Sequence, residues 1–171
     1  IFNMYFPPLF TQDDDHDEIA DIVLSRMGTS NVLQERLESQ AKVKWIKMAL
    51  QSLPDFPTLS EKDMRIITLG IYQSENAPLY AAEHVGDEEL FELLVCRADN
   101  YLIKGKIKSR HVSNTKYQSW IQYSPSNEGH KSILGWACTC KIGLRNVGCC
   151  SHVACILWFF GRPSNTNTIK R

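Results

Sequence analysis

The chain has 171 residues, 43% of them hydrophobic, with four Trp, six Tyr and seven Phe, which supplies apolar surface for a packed core and excludes wholesale disorder. Nineteen basic residues balance nineteen acidic ones, so no global field draws the chain to nucleic acid and any such affinity has to be local. No run approaches the ~18 apolar residues that span a bilayer, and the N-terminus lacks a basic region followed by an apolar core, so the expectation is a soluble, intracellular protein of one domain or two small ones.

Residues 1–10 are apolar and aromatic around Pro7-Pro8, which reads as an extended segment. With Ile1 in place of an initiator Met, we expect the chain to be a fragment of something longer. Asp13, Asp14 and Asp15 precede Glu18-Ile19-Ala20-Asp21-Ile22-Val23-Leu24, and acids at a helix N-terminus predict a first helix over about 15–27. Gly28-Thr29-Ser30-Asn31 breaks it. Val32, Leu33, Leu37, Val43, Ile46 and Leu50 then recur at mixed three- and four-residue steps, predicting a second, long amphipathic helix stopped by Pro54 and Pro57. Ser60-Glu61-Lys62-Asp63 has the form of a capping box opening a third helical segment through Met64, Ile67 and Ile71. Pro78 is expected to interrupt or restart that segment before Tyr80 and His84.

After Gly86 the pattern turns extended. Residues 90–96, 102–110 and 117–123 are rich in β-branched and aromatic side chains, with Asp99-Asn100 and Ser113-Asn114 as turns, and predict an antiparallel meander. Residues 132–138 offer a fourth strand, and residues 152–160, free of breakers until Gly161, a closing helix. The expected class is α+β, with a mainly helical region over residues 1–86 and a β-rich module over residues 87–171. No internal repeat is evident.

Five of the six cysteines fall within residues 138–155 beside a histidine, a clustering that favours metal in a reducing compartment over three disulfides. Cys138 and Cys140 form C-x-C; after nine intervening residues Cys150 and His152 form C-x-H. Three thiolates and one imidazole make a closed tetrahedral Zn²⁺ site, reachable if the first pair ends a strand and the second opens the closing helix, with Gly143 and Gly148 relaxing the loop between. Ordinary buried thiols beside a core histidine are the alternative, but burial alone does not place paired ligands on both sides of a glycine-bearing loop. Cys149 competes with Cys150; the C-x-H pairing selects Cys150 and leaves Cys149, Cys155 and the strand residue Cys96 as packing thiols. A closed set has no open position for water or substrate, so the metal's role is folding and not catalysis. We therefore expect no enzyme and no small-molecule substrate.

Lys104, Lys106, Lys108 and Arg110 alternate along one strand with Ile103 and Ile107, which places them on one face and makes them the nucleic-acid-binding candidates; a solvated edge strand protected by lysines is the plainer reading. Lys141, Arg145, Arg162, Lys170 and Arg171 add scattered charge. The acidic run Asp13 to Glu18 reads as a solvated helix cap and not a catalytic cation site, His111 as a strand-end surface residue and not a base, and Trp120, Trp136, Trp158 and Phe160 as core and not stacking platforms.

The C-x-C, spacer, C-x-H pattern resembles a SWIM-type zinc finger, whose β-β-α unit would occupy residues 134–160 or so. Asp55-Phe56-Pro57-Thr58-Leu59, Ile67-Thr68-Leu69-Gly70-Ile71-Tyr72-Gln73, Ser109-Arg110-His111, Trp120-Ile121-Gln122-Tyr123 and Val147-Gly148-Cys149-Cys150-Ser151-His152-Val153 are similar to the region downstream of the catalytic domain in DDE-type, Harbinger-like transposases and proteins derived from them. The resemblance implies a nuclear, zinc-dependent module that binds DNA or protein, without carrying over any catalytic acid. The alternative is an accessory fragment of a metal-dependent transposase or nuclease whose active site lies outside this chain, which metal-dependent strand cleavage would distinguish.

Overall fold

The computed structural model describes residues 15–39, 43–49, 53, 55–69, 71–84, 91–108, 115–143 and 147–162. Residues 1–10, Asp13, Asp14, Leu50, Arg110, His111, the Ser113-Asn114 turn, Arg145, Lys170 and Arg171 lie outside them. The chain is α+β, with five helices and a five-stranded antiparallel sheet among the described residues.

Helix α1 spans Asp15–Arg26 and ends where Gly28, at φ 81°, takes up the left-handed turn that a side chain disfavours. Asn31 then caps α2, Val32–Ser39: its Oδ1 accepts from the Gln34 backbone N–H at 3.0 Å. Its Nδ2 donates to the Trp136 carbonyl at 2.9 Å, so the residue that opens the helix also ties it to the sheet.

The long helix expected up to residue 50 does not form. Trp45–Lys47 is instead strand β1, antiparallel to β2, Phe91–Cys96, with Trp45 opposite Cys96 and Lys47 opposite Leu94. The β-branched and aromatic run from Val43 to Ile46 suits a strand as well as a helix. What decides is the unpaired β2 edge, and a small cluster of Leu33, Cys96 and Leu102 on which Leu37, Val43, Trp45 and Trp120 pack together.

Helix α3, Glu61–Thr68, carries the expected capping box: Ser60 Oγ accepts from the Asp63 N–H at 3.1 Å, and the Asp63 carboxylate accepts from the Ser60 N–H at 2.8 Å. It stops at Leu69, which is left-handed at φ 51°, and α4 spans Ile71–His84. Pro78 lies inside α4 without interrupting it, against expectation. The proline removes one backbone hydrogen bond, but Ala77, Tyr80 and Ala81 around it are buried, and tertiary packing of that kind outweighs a local defect.

Strands β3 (Asp99–Lys108), β4 (Lys116–Tyr123) and β5 (Ile133–Cys138) complete the sheet in the order β1-β2-β3-β4-β5, and α5 closes the fold at Ser151–Gly161. The β2–β3 turn falls at Arg97-Ala98 and not at Asp99-Asn100. Asp99 is drawn into β3, opposite Cys96 across a register shift, because its carboxylate takes the Tyr101 N–H at 3.1 Å and the Arg36 guanidinium at 3.1 Å.

One core joins α3, α4 and α5 to β2–β5, from Leu59, Met64 and Ile67 through Ile103, Ile107 and Ile121 to Ile156 and Leu157. These helices lie on one sheet face; α2 covers part of the other, where Leu33 packs with Leu102. Among the described residues no helix is long and apolar enough to cross a membrane.

Candidate metal centre

Alternation along β5 decides where the first two sulfurs go. Thr139 is held against β4, its N–H donating to the Gln118 carbonyl at 2.9 Å and its Oγ1 accepting from the Gln118 N–H at 3.0 Å. Cys138 and Cys140 are therefore left on the same side of the chain end. The chain then doubles back: Gly143 N–H donates to the Cys140 carbonyl at 2.9 Å and its own carbonyl accepts from Cys138 N–H at 3.0 Å. A Cβ at Gly143 would sit on the Cys138 Cβ and carbonyl, so this turn admits only glycine.

The second pair comes from the start of α5. Gly148, at φ 70°, lies against the Thr68 carbonyl and accepts from Trp136 Nε1 at 3.2 Å, which anchors the returning loop to β5. Cys150 is the extended N-cap residue of α5, its carbonyl accepting from Ala154 N–H at 2.9 Å, and His152 sits in the first turn.

The ligand atoms of Cys138, Cys140, Cys150 and His152 all lie within 4.8 Å of one another. Zinc–sulfur bonds of ~2.3 Å at tetrahedral angles put sulfurs ~3.8 Å apart, and a sulfur and a ring nitrogen somewhat closer. Cys138 Sγ and His152 Nδ1 are 3.9 Å apart, so small side-chain rotations close the set on an ion. These four residues are close enough to hold one metal ion.

Their electrostatics are those of crowded ligands. Hydrogen bonding from the Cys138 and Cys150 thiols holds Cys140 far below the usual thiol range, whereas contact with Cys138 and Cys140 drives Cys150 strongly upward. Burial works against charge on His152, but its contacts with the Cys138 and Cys140 sulfurs prevail and push it up to about 9. Such a cluster shares protons until a cation replaces them. Cys149 stands outside the set; burial pushes its thiol up to about 12, and burial likewise raises Cys155, as expected of packing thiols.

Three neighbours carried no sequence signal of their own. Ser119 lies opposite Cys138 in the β4–β5 register, fully buried, and its Oγ donates to the Cys138 sulfur at 3.1 Å. The His152 ring packs against Tyr117 at 4.6 Å and edge-on to Tyr80 at 5.5 Å between ring centroids. Only the strand register and the helix packing bring these residues to the site.

The basic strand residues are elsewhere. Lys104, Lys106 and Lys108 do alternate with buried Ile103 and Ile107, but β3 is the central strand of the sheet, not an edge. Lys106 pairs with Glu92 at 2.7 Å, and Lys104 lies between the rings of Trp45 and Trp120, 5.5 and 5.2 Å from their centroids. Trp136 and Phe160 are buried in the core as expected, while Trp120 is half-buried on the lysine face. Comparison of the chain with protein-family models, with curated proteins and with solved structures finds no match.

Proposed function

We propose that the chain is a zinc-binding SWIM-type module of a transposase-derived nuclear protein, a non-enzymic unit that binds DNA or protein. The observation that carries the reading is the convergence of three cysteines and one histidine, drawn from the end of β5 and the start of α5, on a single point. Thiolate-rich four-ligand sets select zinc among the common divalent ions, and with all four positions filled by protein the ion holds structure. The order β4, β5, α5, with the ligand pairs at the two ends of the β5–α5 connection, supports a β-β-α finger.

Elemental analysis of the purified, reduced chain tests the site. One zinc per chain is expected, lost in both Cys140→Ser and His152→Ala. Tight retention in both variants would overturn the ligand assignment, and a Cys149→Ser variant should keep the metal.

A further inference from the structure

The sheet face turned away from the metal centre concentrates positive charge that the net-neutral chain does not advertise. Lys47 of β1 stands in one row with Leu94, Lys104 and Trp120; Lys106 and Gln118 form the next; Lys108 and Lys116 the third. Five lysines from three strands thus share one face, whereas the five strands contribute only two acids. Of these, Glu92 is paired to Lys106 at 2.7 Å and Asp99 to Arg36 at 3.1 Å. Trp45 and Trp120, both half-buried, flank Lys104 on the same face.

We propose that this face is a platform for single-stranded nucleic acid, its lysines tracking phosphates and the open edges of Trp45 and Trp120 receiving bases. Charge complementarity selects a polyanion. Burial and the neighbouring Lys106 both disfavour the charge on Lys104, a cost that an incoming phosphate relieves. Shape selects the single strand: five strands at ~4.8 Å spacing span about 19 Å, too broad for a major groove ~12 Å wide that admits a helix or a two-stranded ribbon. A duplex would touch the face along one backbone only, whereas a flexible strand can lie across the rows and stack on the tryptophans. An acidic protein would satisfy the lysines but has no use for the half-buried indoles of Trp45 and Trp120 beside them.

The inference rests on reading the chain as a binding module but not on the metal, which lies on the other side of the sheet. Fluorescence anisotropy of the full chain with labelled oligo-dT and oligo-rU of about 15 nucleotides, at two salt concentrations, tests it. Binding is expected to weaken with salt at a slope near −0.7 for each phosphate neutralised, with quenching of tryptophan emission. Lys108→Glu combined with Lys116→Glu should weaken binding at least ~10-fold and flatten the slope, and Trp45→Leu should weaken it ~5-fold or more. Unchanged affinity in the charge-reversal pair, equal or tighter binding of the matching duplex, or displacement by polyglutamate at equal charge would each overturn the proposal. Zinc content measured on the same samples separates the two readings: a metal-free chain that still binds removes the zinc assignment alone, and a zinc-loaded chain that does not bind removes this face alone.

Discussion

Ser119 and Cys138 face each other across β4 and β5, and a buried hydroxyl donating to the Cys138 sulfur at 3.1 Å orients that sulfur toward the cluster and would spread its charge once a metal is bound. Loss of such outer partners costs metal sites about 10–100-fold in affinity, so Ser119→Ala is expected to release zinc to a competing chelator at a concentration ~10-fold lower than wild type requires, with the fold unchanged. A competition titration measures this, and an unshifted curve would reduce Ser119 to packing. The same scale separates Cys149 from Cys150. Both are buried in the same core, but one residue of displacement takes the Cys149 side chain out of the shared centre, and burial pushes its thiol up.

Among the elements, α3 is the most locally specified. Its capping box ties Ser60 and Asp63 reciprocally, and Asp63 also accepts from the His130 backbone N–H at 2.7 Å, joining the helix start to the turn before β5. Ser60→Ala is expected to cost about 1 kcal/mol, read as a lower urea midpoint at unchanged slope. Burial raises the Asp63 pKa, but the Ser60 hydroxyl, the Ser60 N–H and the His130 N–H outweigh it and hold the carboxyl below its usual range. A depressed folded-state pKa means that this contribution is complete above the ordinary aspartate value of ~3.9 and fades as pH falls below it. Asp63→Asn should therefore flatten the acid limb of the stability curve, and an unaltered limb would assign that loss to other carboxylates.

For the whole molecule, the candidate metal centre is part of the main core, since Cys138, Cys140 and Cys150 belong to the same buried cluster as α4, α5 and the sheet. Structural zinc contributes an apparent ~10–16 kcal/mol in small fingers, comparable to the roughly 5–15 kcal/mol net stability of a domain. Chelation is therefore expected to abolish cooperative unfolding and to raise amide exchange in α5 and β5 first, followed by hydrogen-exchange mass spectrometry. Because the ligands bind metal deprotonated, acidification should produce the same pattern without chelator. Protection that survives metal removal throughout α5 would show that the apolar contacts of that helix suffice.

The spacing of Cys138, Cys140, Cys150 and His152, the meander after residue 90, the capping box at Ser60 and the first helix behind its acidic residues were legible in the sequence, because each rests on interactions between near neighbours. Tertiary structure decided the rest. Trp45–Lys47 became a strand because β2 offered an open edge, α4 ran through Pro78 because its neighbours are buried, and Asp99 left the turn for partners distant in sequence. Ser119, Tyr117 and Tyr80 reached the cysteine–histidine cluster, and Lys47 and Lys116 joined the basic face, through strand register and helix packing. Local chemistry is set by residues a few positions apart; register and packing depend on contacts that exist only once the chain has closed on itself.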